Sequence, residues 1–411
     1  MPDNPINTGD TAWVLASTAL VMIMTPALGF FYAGLVRRKN VLATIMHSFF
    51  ILCLISVQWV LFGYSLAFGP DLSGIIGGLN WVGLNGVGLE PNPVYAPTIP
   101  HQLFMAFQMM FAIITPALIT GAFAERKRFK AFAIFSILWA TLVYDPIAHW
   151  VWGDGGWLKT LGALDFAGGT VVHISSGMSA LVAAIIIGKR VGLRDEPIEP
   201  HDATMTLLGA ALLWFGWFGF NAGSALAANG LAVSAFINTN TAAAMAALAW
   251  MTVSWLHKGV PSALGAAIGA VAGLVAITPA SGYVTPPAAI LIGLGAGVFC
   301  YGAVQLRNVL NVDDALDVWA CHGIGGVWGA LATGLFATKA INEAGGDGLF
   351  YGNPGQFVVQ LIAVVATTAF AMAMTFVILK VIDATIGLRV GEEEERLGLD
   401  TSQHGELAYS F

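Results

Sequence analysis

The chain has 411 residues, of which 57% are hydrophobic and only 10% charged. An ordinary soluble domain carries about 25% charged residues, so this composition excludes one. The formal charge of −7 comes from acids spread along the chain, and it argues for no nucleic-acid partner.

From the N-terminus, apolar stretches long enough to cross about 30 Å of hydrocarbon follow one another. They lie at about 11–35, 41–67, 101–124, 129–151, 166–188, 201–227, 235–256, 261–278, 285–305, 317–338 and 356–386. Met1 to Thr11 has no charged region of the kind that opens a signal peptide. The longest connection, about 68–100, is rich in Gly, Asn and Pro, and nothing along the chain reads as a soluble domain. Gly265, Gly269 and Gly273 stand at the four-residue spacing that lets membrane helices approach closely. Cys53, Cys300 and Cys321 fall within spans without CxxC spacing and read as small packing residues, not as a disulfide or metal framework. The fold class expected is an all-α polytopic membrane protein with eleven transmembrane helices.

Basic residues orient the bundle. With the N-terminus outside, 15 of the 17 fall on the inner side: Arg37, Arg38, Lys39, Arg126, Lys127, Arg128, Lys130, Lys189, Arg190, Arg194, Lys258, Arg307, Lys380, Arg389 and Arg396. Only Lys159 and Lys339 remain outside, and the positive-inside rule gives N-out, C-in. Ten helices divide into five and five, residues 11–190 and 201–338. Because five is odd, the second set runs with inverted topology, as in inverted-repeat transporters. Residues 356–386 form the eleventh helix, and the polar segment 387–411 is a cytoplasmic tail.

Two ionisable residues stand out inside this apolar frame. His173 follows Asp165-Phe166-Ala167-Gly168-Gly169, and His322 follows Asp317-Val318-Trp319-Ala320-Cys321. Ionisable groups within a bilayer are costly and mark pathways for ions or protons. His173 lies eight residues past Asp165, about 12 Å deeper, and His322 five past Asp317, about 8 Å from the opposite face. On equivalent helices of opposite direction the two meet near the midplane. At the outer end, Phe107 and Phe111 share one helix face, as do Phe220 and Ser224, and Trp152 ends the fourth helix. Aromatic faces with one hydroxyl suit a small cation. Each of these rings taken singly is better explained as a belt or core residue. Asp145, four residues before His149, either pairs with it or marks a helix boundary, and the sequence leaves this open.

Four motifs then bring a resemblance: Phe30 to Arg37, Asp165 to His173, Trp217 to Ser224, and Val312-Asp313-Asp314 leading to His322. From about residue 11 to 411 the chain resembles the ammonium transporter family (Amt/Mep/Rh), on its bacterial and archaeal Amt side. The resemblance implies a homotrimer with one pore per protomer in the cytoplasmic (inner) membrane, transport of ammonium or ammonia (methylammonium as analogue), no cofactor and no enzymatic activity. It implies Phe107, Trp152 and Ser224 as the external cation site, Phe111 and Phe220 as a stacked gate, and His173 and His322 as the twin histidines of the lumen. Asp165 matches the buried carboxylate near recruitment and reads better as a helix cap than as a ligand. Gln108 and Thr278 match positions near the path. Ile268 departs from the small polar residue expected there. The tail from Gly387 resembles one that couples protomers and receives a PII-type signal protein.

The family mechanism makes physical sense. A charge at the bilayer centre costs at least about 2.5–3.5 kcal/mol. Desolvation also favours the neutral form of an amine-type cation. The cation binds outside, loses a proton, and crosses as ammonia through a lumen that excludes potassium. Whether the proton follows through the imidazole pair is left open by the sequence. An ammonium sensor is the alternative, and a fused signalling domain would be expected for it. A two-histidine metal enzyme is a third reading, but it lacks the further ligands such a site requires.

Overall fold

The computed structural model describes residues 5–193 and 198–409. Arg194, counted above among the inner basic residues, and the last two residues of the tail lie outside them. Among the described residues nine helices are long and apolar enough to cross a membrane. These are α1 (Thr8–Leu35), α2 (Arg38–Phe68), α3 (His101–Phe123), α4 (Phe129–Leu161), α5 (Gly169–Ile187), α6 (Ala203–Ala225), α7 (Gly230–Lys258), α9 (Pro286–Leu310) and α11 (Pro354–Ile386). Between them lie the shorter apolar helix α8 (Ala263–Ile277) and α10, which runs Trp319–Ile324 and then Gly325–Phe336.

Polar caps set several starts. Asn7, Asp202, Asn229 and Ser262 each accept backbone N–H bonds at the first turns of α1, α6, α7 and α8. Small residues set the packing. A side chain at Gly209 or Gly219 of α6 would strike α1 at Phe31, Ser17 and Leu20. At Gly269 or Gly273 of α8 it would strike α7 at Ala242, Ala246 and Trp250. Lipid solvates apolar side chains as well as a neighbouring helix does, so close backbone approach supplies the association.

The 68–100 connection is not wholly irregular. It holds two short antiparallel ribbons, Asp71–Leu72 with Ile76–Gly77 and Pro91–Asn92 with Ala96–Pro100. Four segments widen to π-helix: Trp59–Gly63, Ala140–Tyr144, Gly169–Ile174 and Trp319–Ile324. The last two carry the histidines.

The end of the bundle bearing residues 124–128 and 188–193 is closed by buried charge. Glu125 pairs with Arg37 at 2.9 Å and Arg190 at 3.3 Å, and Asp313 pairs with Arg190 at 2.8 Å. Burial alone would raise the Glu125 carboxyl; Arg190 and Arg37 outweigh it and hold that group below the usual range. The tail docks here. Arg128 N–H donates to the Leu388 carbonyl and Val390 N–H to that of Arg126. Asp400 accepts from the N–H groups of Leu42 and Ala43, at 3.1 and 2.8 Å. Basic side chains contribute as well, Lys39 Nζ and Arg128 donating to the Arg396 and Ile386 carbonyls. Glu395 pairs with Arg389 of the tail itself at 2.7 Å and accepts from Val191 N–H, and Glu392 pairs with Arg396. Backbone amides are fixed in place and lose less freedom on binding than lysine or arginine chains do.

Candidate functional site

α5 begins at an acidic anchor. The two carboxylate oxygens of Asp165 accept the N–H groups of Gly168, Gly169, Thr170 and Val171, at 2.8, 2.7, 2.7 and 3.1 Å. Gly168 takes a left-handed φ of 115°, which turns the chain into the helix. Eight residues past Asp165, the His173 ring stacks on Trp217, centroids 5.5 Å apart, and on Phe220 at 6.1 Å. Trp217 is fixed by donating from Nε1 to Thr278 Oγ1 at 2.9 Å, so Thr278 acts on the path through Trp217.

α10 repeats the device. Asp314 accepts from Trp319 N–H at 2.7 Å. Asp317, the residue paired above with His322, does not hold that place; it has φ 58° and binds Arg307 at 3.1 Å. Asp314 precedes His322 by eight residues, the Asp165–His173 spacing. Gly177 of α5 and Gly323 of α10 lie where a side chain on Gly177 would overlap the Gly323 backbone. That close crossing brings the imidazoles together, with His322 Nδ1 and His173 Nδ1 3.2 Å apart. One nitrogen must therefore donate and the other accept. Both side chains are buried, and His173 Nε2 has no hydrogen-bond partner among the described residues.

Three cavities lie around this pair and the rings next to it. The one at the Trp152 end, about 330 Å³, is bordered by Gln108, Phe111, Trp152, Asp165 and Ser224, among others. Ser224 donates its hydroxyl to the Phe220 carbonyl at 2.8 Å, which leaves its oxygen free to accept from a cation. Trp152 Nε1 donates to the Asp165 carbonyl at 2.9 Å, and its ring stands edge-on to Phe111 at 5.9 Å. Phe107 is wholly buried and does not border this cavity; its ring meets Phe111 at 5.0 Å. Gln108 borders it with Oε1 unpaired among the described residues. Beneath, Phe111 and Phe220 overlap at 4.3 Å and 32°. Below them a space of about 10 Å³, near the volume one water centre needs, touches His173, His322, Trp217 and aliphatic side chains. A third cavity, of about 540 Å³, reaches from His322 past Ile268 to Arg307 and Asp317.

Larger cavities with polar and charged side chains lie to either side of a narrow, mostly apolar space that holds the paired imidazoles, an arrangement that suits a small solute. The chain matches the model of the Ammonium Transporter Family over residues 12–409. It belongs to that family. It is 56% identical over 402 residues to the ammonium transporter of Bacillus subtilis, covering 98% of both chains. It is 54% identical over 402 residues to the ammonium transporter Amt1 of Archaeoglobus fulgidus, covering 98% of this chain and 99% of that one. The crystal structure of Candida albicans Mep2 superimposes with a TM-score of 0.90 at 39% identity, covering 98% of this chain and 90% of that one. The names of these relatives support ammonium transport by a multi-pass membrane protein and do not favour the sensor reading.

Three features of this ammonium transporter family member escaped the sequence reading. Trp217 was read only as part of a motif, although it carries the stack under His173. The recurrence of Asp, eight residues, His would have picked out Asp314. Asp145 does not pair with His149; it stands at the boundary where the π segment Ala140–Tyr144 gives way to α-helix, and accepts from Gln58 Nε2 at 2.9 Å, while His149 binds Asp71.

Proposed function

We propose that the protein recruits ammonium at its outer mouth, removes a proton there, and conducts ammonia to the cytoplasm. Trp152 and the Ser224 oxygen hold the cation, with Phe107 backing Phe111 from behind. Asp165 has its four amide bonds to satisfy and acts through its field and through the Trp152 indole, not as a ligand. Phe111 and Phe220 admit the solute one molecule at a time. Past them the neck offers no oxygen cage, so a hydrated potassium ion meets the full cost of desolvation, whereas ammonia loses little. His173 and His322 can each donate to or accept from ammonia, and their Nδ1–Nδ1 bond offers a proton route along the same line.

The same reading gives eleven crossings, N-out and C-in, in the inner membrane, with residues 11–190 and 201–338 as inverted repeats. The matching Asp–His spacings and the mutual crossing of α5 and α10 support that symmetry. It also gives a homotrimer whose tail, 387–411, couples protomers and receives a PII-type protein.

The observation that carries the proposal is the buried imidazole pair, 3.2 Å apart, beneath overlapping phenyl rings. Proteoliposomes carrying the purified protein, given ammonium or potassium gradients of equal size, test it. Ammonium-driven flux without potassium current is expected; equal currents for the two ions would refute it.

A further inference from the structure

We propose that Asp71 and His149 form a proton-dependent clamp that positions Trp152 at the outer mouth. His149 is wholly buried in α4, three residues before Trp152. Its Nδ1 lies 3.0 Å from the Ala67 carbonyl oxygen and its Nε2 2.9 Å from Asp71 Oδ1. A carbonyl oxygen only accepts, so Nδ1 carries a hydrogen. The second bond then holds one further proton between Nε2 and Oδ1. Remove it, and the Nε2 lone pair faces a carboxylate across a hydrogen-bond distance.

The pair is reachable and mechanically placed. The Asp71 side chain is 31% exposed, so outside water meets the shared proton. The hydrogen bond from His149 holds the Asp71 carboxyl below its ordinary range. That contribution is present above the usual carboxylate range and is lost only as pH falls through the lowered value. The geometry sets the other limit: the clamp stands while the shared proton is present and opens when base removes it. Asp71 Oδ1 also accepts from Gly74 N–H at 2.7 Å, and the Gly74 carbonyl accepts from Trp157 N–H at 3.1 Å. Trp150 Nε1 donates to Ile75 O at 2.8 Å. A side chain on Gly153 would strike His149 Nδ1, and one on Gly155 would strike Asp71. The chain leaving Trp152 thus lies directly on the pair, so loosening the pair frees the end of α4 that aims the indole.

Other ionisable groups on the surrounding elements have separate partners. Asp145 on the same helix is held by Gln58, Tyr64 binds His101 Nε2 at 2.7 Å, Lys159 pairs with Asp154 at 3.8 Å, and His173 faces His322. They leave Asp71 as the carboxylate that shares the His149 proton.

The inference rests on Trp152 belonging to the cation site, so Trp152→Leu is measured alongside. The assay is methylammonium uptake by proteoliposomes at several external pH values, with KM expressed per cation. Wild type should lose affinity from mildly acidic to alkaline buffer by about 2- to 30-fold, the range that losing a cation–π contact gives. In Asp71→Asn an amide N–H facing the neutral ring keeps the Nε2 bond but gives up the acceptor of Gly74 N–H, so KM should rise modestly and stay flat across the pH range. Asp71→Ala should be weakened at every pH, with kcat changed less than KM. A raised KM in Trp152→Leu with Asp71→Asn still following the wild-type pH curve would overturn the clamp. A wild-type KM in Trp152→Leu would overturn the cage reading instead. Independently of any variant's folding, nitrogen-15 spectra of histidine-labelled wild type in mild acid should show His149 with both nitrogens protonated. A neutral ring protonated at Nε2 would overturn the clamp by itself.

Discussion

Replacing Asp165 tests how the α5 terminus is built. In Asp165→Ala, four buried N–H groups, those of Gly168, Gly169, Thr170 and Val171, lose their acceptors together. A buried donor left unsatisfied costs about 1–3 kcal/mol. Even at about 1 kcal/mol each, the loss approaches 4 kcal/mol, a large share of typical protein stability. It falls on the turn that aims both Trp152, through the Asp165 carbonyl, and His173, through the π-helical segment. Asp165→Asn keeps one oxygen, serving two of the four, and turns an amide N–H₂ toward the others, so its cost is about half, roughly 2 kcal/mol. Thermal unfolding of detergent-purified protein, followed by size-exclusion, should rank wild type above Asn above Ala. Methylammonium uptake should rank the same way. An alanine variant as stable and active as the asparagine variant would refute the anchoring argument. Asparagine with full wild-type uptake would show that the charge is irrelevant to recruitment.

Other expectations follow from single contacts. Trp152→Leu removes a cation–π face worth about 0.5–2 kcal/mol, so the KM for methylammonium should rise several-fold in a folded protein. Phe107→Ala lies behind the mouth and should act through Phe111, changing maximal rate more than KM; kinetics of both variants side by side check this. Glu125 is held below the usual carboxylate range by Arg190 and Arg37, so its contribution to stability is present above that range and is lost as pH falls through its lowered value. Melting of Glu125→Gln against wild type should accordingly converge in strong acid and diverge at neutral pH. Truncation after Gly387 removes the Val390, Glu395 and Asp400 contacts and should reduce transport and abolish PII inhibition; full flux with undiminished PII binding would contradict the regulatory role.

Helix placement was readable because the bilayer makes hydrophobic length the dominant signal. The stretches at 261–278 and 356–386 sit within two residues of α8 (Ala263–Ile277) and α11 (Pro354–Ile386). Less legible were features that depend on one carboxylate finding one amide. Asp317 is nearer to His322 in sequence, yet Asp314 caps the helix, because the intervening turn leaves Asp317 in a left-handed conformation beside Arg307. Asp145 and His149 stand at helical i,i+4 spacing, but the straight pairing loses to Gln58 and Asp71, brought in from other segments. Periodicity identifies a face; it does not identify the neighbour that covers it. The tail shows the same limit: nothing in its sequence names the amides of Val191, Leu42 and Ala43 that Glu395 and Asp400 find.

The imidazole pair is the centre of the account. His173→Ala and His322→Ala, reconstituted separately at equal protein density, can be measured for ammonium flux and potassium current in the same vesicles, with oligomeric state checked by size-exclusion. Each variant should remain assembled and lose selective ammonium transport, either as reduced flux or as admitted potassium. Wild-type flux together with wild-type potassium exclusion in both variants would contradict the path drawn through His173 and His322.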